Sequence, residues 1–276
     1  KVLTDCRMSM DIEGNVLGSL PKLQNVRYKK VNDVKRPFLK LKFAEVPNNY
    51  NEMTLVMKGN YSVVFRAYND GLAYRFVTSL KGEVKVNHED ITVFFPQDAQ
   101  LVLQQSDRYR TSYEERYSFV KSSEWLSFQK MAHYPVLAIT SGGTKILMSE
   151  SDLCDYPAPF FRSNDANGFS SVFPRVPAVE KPRSDKSNDV LLRHPYIAKT
   201  QGTRSFPWRY FVIAKDEAAL VTNTMTCRLA QDSKLQDVSW IVPGQASWEW
   251  WNGAVPYGPD VNFKAGLNVE TYKYFM

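Results

Sequence analysis

The chain has 276 residues, 43% hydrophobic and 23% charged, an ordinary globular balance that excludes collagen, coiled coil, a disulfide scaffold and wholesale disorder. Its 35 Lys and Arg against 29 Asp and Glu leave a charge of +6, and the densest basic stretch, Lys29 to Lys42, is broken by apolar residues and Pro37, so the clustered face of a nucleic-acid binder is missing. No run of about 18 apolar residues occurs, so no membrane span is expected.

In chain order, the sequence reads mostly as short β-branched and aromatic runs separated by Gly, Pro, Asn and Asp. Residues 39–43 are a candidate strand. The clearest unit is 61–78, where two alternating segments flank Asn69-Asp70-Gly71. These residue types tolerate positive φ, so a hairpin is predicted. Further strands are predicted at 84–86, 91–95 and 101–103. A second hairpin is predicted from 136–140 and 145–150 around Ser141-Gly142-Gly143-Thr144. Between 155 and 209, prolines from Pro157 to Pro207 interrupt the pattern and charges of both signs fill the gaps. This stretch is expected to be a long loop, either a functional edge or a surface excursion. A strand at 210–214 follows. No amphipathic helical pattern extends far before 216. Many short strands without intervening helices argue for an antiparallel sandwich.

The tail changes character. Four of the six tryptophans fall within WIVPGQASWEWW (240–251), followed by the Gly/Pro/Asn-rich NGAVPYGPDVNFKAGLN. Residues 268–276 are predicted to start a helix, with Asn268 as cap and Glu270 in the first turn. Strand, loop and helix start without partner strands read as the opening of a truncated βαβ unit.

Chemistry-bearing residues are sparse. Cys6, Cys154 and Cys227 lie far apart and give neither a disulfide framework nor a zinc pattern. His88, His133 and His194 are equally dispersed and are expected to be structural or surface residues. The Gly142-Gly143 pair lacks the partner residues of a phosphate loop, and neither GxSxG nor HExxH occurs. The most site-like segment is SESDLCDYP (149–157), where three carboxylates, Glu150, Asp152 and Asp155, leave a strand end. Such a group can serve a hard cation such as Ca²⁺, or Asp152 and Asp155 can simply cap turns. Arg66 and Arg75, on the two arms of the first hairpin, read as charges on a half-solvated sheet face, with pairing or ligand contact as the alternative. The cluster Trp248, Trp250 and Trp251 can stack on sugar rings or fill a domain interface.

At these segments the sequence resembles glycoside hydrolase family 97, bacterial α-glucosidases and α-galactosidases. The matching stretches, in family order, are FRAYNDGLAYRF (65–76), ILMSESDLCDYP (146–157), FPWRYFVI (206–213) and WIVPGQASWEWW (240–251). The tail VNFKAGLNVETYKYF is similar to the first loop and helix of the family's barrel. The resemblance implies a mainly β chain: an antiparallel, galactose-mutarotase-like β-super-sandwich over 1–238, then the first strand–loop–helix of a (β/α)₈ catalytic barrel over 239–276. It implies a strand or two before Lys1 and the rest of the barrel beyond Met276, where the catalytic acid and nucleophile or base would lie. Such paired carboxylates stand about 5–5.5 Å apart in retaining and about 6.5–9.5 Å in inverting enzymes, and the family contains both.

By the same resemblance, Glu150 would reach over the active site as a Ca²⁺ ligand, although Ser151 and Ala158-Pro159 depart from the family pattern. Trp248, Glu249, Trp250 and Trp251 would line or support the substrate site. Ca²⁺ is implied for the complete enzyme, since one or two carboxylates leave most of the coordination shell to water. The implied partners are an oligosaccharide or other α-glycoside and the chain's own downstream barrel, and the implied location is periplasmic or secreted. The chain alone is expected to be catalytically inactive. A second class of function is a stand-alone carbohydrate-binding or interaction module, against which the tryptophan-rich tail argues, because exposed apolar surface of that size promotes association.

Overall fold

A computed structural model describes residues 3–37, 42–183, 187–242, 244, 263 and 268–275. Two compact units divide the chain between Asp232 and Ser233.

The larger unit is built from strands in the order β1 (Asp5–Ile12), β2 (Asn15–Leu17), β3 (Leu23–Val31), β4 (Val34–Lys35), β5 (Val46–Pro47), β6 (Tyr50–Met57), β7 (Tyr61–Tyr68), β8 (Gly71–Phe94), β9 (Gln100–Ser106), β10 (Tyr117–Lys121), β11 (Met131–Ile139), β12 (Lys145–Ser151), β13 (Phe160–Ser163), β14 (Gly168–Val172), β15 (Pro177–Pro182), β16 (Asn188–Arg193), β17 (Ala198–Ser205) and β18 (Trp208–Ala214). Two short helices, α1 (Glu217–Val221) and α2 (Met225–Leu229), close it. Every strand pairing among the described residues is antiparallel. The main path runs β10-β9-β11-β12-β18-β8-β7-β6-β3.

The 24-residue β8 organises this sheet. Its first third pairs with β7 and β18, its middle with β17, and its end with β1 and β14. The predicted strands at 84–86 and 91–95 are therefore segments of one long strand. Gly82, at φ 65°, leaves the backbone free to bend just before the first of them.

The first hairpin forms, but not for the expected reason. Asn69 and Asp70 make the turn without positive φ, and Gly71 already pairs with Tyr68 in the ladder. Glycine is needed at 71 for space: a Cβ there would lie 2.3 Å from the Phe211 carbonyl oxygen. The second hairpin matches its prediction, with Gly143 at φ 78° and Thr140 N–H donating to the Thr144 carbonyl.

The expected loop at 155–209 is a correction. That stretch carries β13 through β17. Its prolines stand between strands or at the two ends of β15, on an exposed two-stranded ribbon with β16, where a missing N–H costs little. Residues 39–41 of the candidate strand at 39–43 lie outside the described residues.

Period-two alternation sorts side chains onto two cores. On β18, Trp208, Tyr210, Val212 and Ala214 face a smaller cluster that includes Met225 and Leu229 of α2. Phe211 faces the main core, with Met10, Tyr74, Phe76, Val93, Leu101, Phe161 and Phe169. Both faces of β18 are thus covered, which is why WRYFVIA is almost continuously apolar. Asp216 caps α1 by accepting from Ala219 N–H at 2.9 Å.

In the smaller unit, α3 (Val269–Phe275) forms where predicted, with Asn268 Oδ1 accepting from Thr271 N–H at 2.9 Å and Glu270 in the first turn. The segment 245–262 lies outside the described residues. Among the described residues no helix is long and apolar enough to cross a membrane.

Candidate functional site

Glu150 sits near the end of β12, directly across the ladder from Arg209 of β18. Alternation turns Arg209 to the main-core face, where only one kind of partner makes a guanidinium tolerable. Glu89, from the far half of β8, supplies it: Arg209 Nε donates to Oε1 at 2.9 Å and Nη2 to Oε2 at 2.8 Å. The remaining Nη1 donates to Glu150 Oε2. Side-chain exposures of 1% for Arg209, 3% for Glu89 and 12% for Glu150 make this a buried triad that opens to solvent only at Glu150.

Two carboxylates share one guanidinium, so with both ionised the triad carries one uncompensated negative charge. Glu89 takes the bidentate fork, the stronger geometry. Glu150 keeps a single bond, and its Oε1 accepts no hydrogen bond among the described residues. Burial pushes the Glu150 carboxyl above the usual carboxylate range; Arg209 pulls it down and Glu89 pushes it up again. The rings of Tyr156 and Phe173 lie 6.0 Å from the guanidinium carbon and keep water away. The Tyr74 hydroxyl is buried nearby without a hydrogen-bond partner among the described residues.

The three carboxylates that could have served one cation are engaged apart. Asp152, at φ 58°, faces Arg75 at 3.7 Å and accepts from Gln231 N–H at 2.8 Å. Asp155, at φ 50°, accepts from Thr200 Oγ1 at 3.0 Å and pairs with Arg204 at 3.6 Å. Both shape the exit from β12, as the turn-capping alternative holds. No group of three or more His, Cys, Asp or Glu among the described residues is placed to hold a metal. Glu150 therefore offers one ligand, not a site.

Arg66 and Arg75 are not solvated surface charges. Arg66 pairs with Glu52 at 2.8 Å and lies between the rings of Tyr50 (4.4 Å) and Trp208 (4.5 Å). Arg75 lies 4.2 Å from the Trp208 ring. They pack the second core. The histidines are structural or surface residues: His133 is buried against Tyr113 and Phe160, exposed His88 meets Phe173 edge-on and half-buried His194 stacks on Tyr196. All three cysteines are free thiols.

Trp248, Glu249, Trp250 and Trp251 lie outside the described residues. Sequence reading passed over Glu89 and Arg209. The available signal was a single arginine inside the apolar run WRYFVIA, since an unpaired buried arginine is prohibitively costly.

A family model described as Glycosyl-hydrolase 97 N-terminal matches residues 1–231. A protein described as a retaining alpha-galactosidase from Bacteroides thetaiotaomicron is 32% identical over 290 aligned positions, covering 100% of this chain and 43% of that protein. A probable retaining alpha-galactosidase from Streptomyces bingchenggensis is 28% identical over 206, covering 75% of this chain and 28% of that protein. The chain thus spans less than half the length of these curated relatives. Among solved structures, a Glycoside Hydrolase Family 97 enzyme from Pseudoalteromonas sp. strain K8, in complex with panose, superposes with a TM-score of 0.73 at 19% identity, over 99% of this chain and 40% of that one.

Proposed function

The chain belongs to the glycosyl-hydrolase 97 N-terminal family, and from that premise we propose that it is the N-terminal part of a retaining α-galactosidase-like glycoside hydrolase. The observation that carries this reading is the match along the whole chain to a protein described as a retaining alpha-galactosidase. The antiparallel sheet with its covered faces would be the family's β-super-sandwich over 1–238. Residues 239–276 would open the catalytic barrel, whose active site lies at the C-terminal ends of its strands. Trp248, Glu249, Trp250 and Trp251 would stand at that mouth, beside an α-glycoside substrate.

In this reading Glu150 is the contribution of the N-terminal part to a Ca²⁺ site completed by the barrel. The residues present fit that role in one respect. A carboxylate with a free oxygen, beside a second carboxylate and only one guanidinium, favours an added cation. Hard cations take oxygen ligands, and bound Ca²⁺ would polarise a water or hold a sugar hydroxyl. This chain's own residues do the rest: Glu89 fixes Arg209, and Arg209 fixes the Glu150 carboxylate at the rim. The location would be periplasmic or secreted, as is usual for the enzymes the chain resembles.

The test is hydrolysis of aryl α-galactoside and aryl α-glucoside by the longer protein that bears this chain, with and without a chelator. Galactoside hydrolysis that falls on chelation supports the reading. Hydrolysis by the 276-residue chain alone, or none by the longer protein, overturns it.

A further inference from the structure

A polar cleft whose lining includes none of the Glu150 triad lies between the chain leaving β9 and the exposed β15–β16 ribbon. It encloses about 380 Å³ and is lined by four arginines, Arg108, Arg110, Arg162 and Arg193, against two carboxylates, Asp107 and Asp189. Asp189 is already engaged, by Arg110 at 3.2 Å and Arg183 at 3.7 Å. No ion pair joins Arg108, Arg162 or Arg193 to a carboxylate among the described residues. Arg162, half-buried, is anchored through one nitrogen only: Nη1 donates to the carbonyls of Ser127 (3.1 Å) and Gln129 (2.9 Å). Its Nε and Nη2 donate to nothing among the described residues. Arg193 is likewise held by one bond, from Nη1 to the Arg175 carbonyl at 2.5 Å.

Fixed guanidiniums with unused donors in a cleft are a binding geometry for oxyanions, because the planar fork matches a carboxylate or sulfate and is weakly hydrated. Tyr109 reports the same field. Burial pushes its hydroxyl up, and Arg162, Arg193 and Arg175 each pull it back.

An aromatic row continues from the cleft. Tyr109 stands edge-on to Phe160 at 5.1 Å, and Tyr113, 51% exposed, stands edge-on to His133 at 4.7 Å. Burial raises the Tyr113 hydroxyl, and the Glu150 charge adds to the rise. An exposed aromatic face beside charged donors suits a sugar ring, apolar on one side and polar at its rim.

We propose that this cleft binds the oxyanion, carboxylate or sulfate ester, of an acidic saccharide whose neighbouring ring lies over Tyr113. The saccharide part rests on the glycosidase reading above; the oxyanion part stands on the arginines alone.

The experiment is calorimetric titration of the 276-residue chain at one ionic strength. Four probes are used: a galacturonate trisaccharide, a sulfated galactose trisaccharide, neutral galactotriose and inorganic sulfate. At least one acidic trisaccharide is expected to bind tenfold or more tightly than both the neutral sugar and inorganic sulfate, and the arm that does so identifies the group. Arg108→Gln and Arg193→Gln, both exposed and checked for folding by circular dichroism, should each remove most of that margin, and Arg108→Lys should keep part of it. Equal affinity for neutral and acidic sugars, a margin that survives both glutamine variants, or inorganic sulfate matching the sugars overturns the proposal. Hydrolysis of a neutral aryl α-galactoside by the longer protein separates the two readings. Activity without acidic preference sinks this inference alone, and acidic preference in an inactive protein sinks the glycosidase reading alone.

Discussion

Replacing Arg209 by methionine tests the buried triad most directly. The substitution keeps much of the side-chain volume and removes the cation that pairs with both buried carboxylates. It deletes the bidentate pair with Glu89 and the bond to Glu150 together. Breaking a buried pair by removing one partner costs about 3–5 kcal/mol, because the other charge stays buried without compensation. The three bonds are not summed, since they act as one unit. For a unit of this size the loss corresponds to a fall in Tm of roughly 6–20 °C. The pH dependence has a definite sign. The Glu150 carboxyl is already raised above its unfolded value, and losing Arg209 removes the influence that lowers it. A raised carboxyl contributes stability below its unfolded pKa and loses it as pH rises through the folded one. The deficit of the variant should therefore grow as pH rises from the unfolded carboxylate pKa through the raised folded one. Adding Glu89→Leu should restore about 1–3 kcal/mol by removing the orphaned charge. Urea unfolding followed by circular dichroism, at several pH values, reads both effects. A loss below about 1 kcal/mol at neutral pH, or a deficit independent of pH, would refute the reasoning.

Three further substitutions probe separate parts of the argument. Glu150→Gln leaves the Arg209–Glu89 fork intact and removes the surplus charge, so unfolding should show unchanged or higher stability at neutral pH, and, on the proposed function, any chelator-sensitive glycosidase activity of a longer protein bearing this chain should be lost. Gly71→Ala places a methyl 2.3 Å from the Phe211 carbonyl oxygen; a loss of about 1–3 kcal/mol in urea unfolding is expected, as for other overpacked sites. Trp208→Ala empties a position 1% exposed between two guanidiniums. It should cost about 3–5 kcal/mol, and a Trp208→Leu variant, which keeps apolar volume but no ring, would by losing as much show that the guanidinium–ring contacts, not the volume, dominate.

Much of this fold was legible in the residues. Alternating β-branched and aromatic runs in FRAYNDGLAYRF and KILMSES mark antiparallel strands because side chains on a strand alternate faces, whatever the strand packs against. Gly143 and Asn268 likewise mark a turn and a cap through local backbone chemistry alone. Glu150 stood out in the sequence as one of three carboxylates at a strand end, but its expected role as a Ca²⁺ ligand came only through resemblance, because a glutamate there has no local signature for one metal.

What the tertiary structure decided is who meets whom. The 120 residues between Glu89 and Arg209 are closed by the path of β8, not by any spacing a motif could hold. The same long strand turned two predicted strands into one, and brought Phe211 so close that position 71 admits only glycine. The prolines of 155–209 break the pattern locally, yet the strands form there because their ladder partners lie far away in the chain. Local chemistry fixes which segments extend and where they turn. Register between distant strands depends on which faces can be buried together, and that is a property of the packed whole.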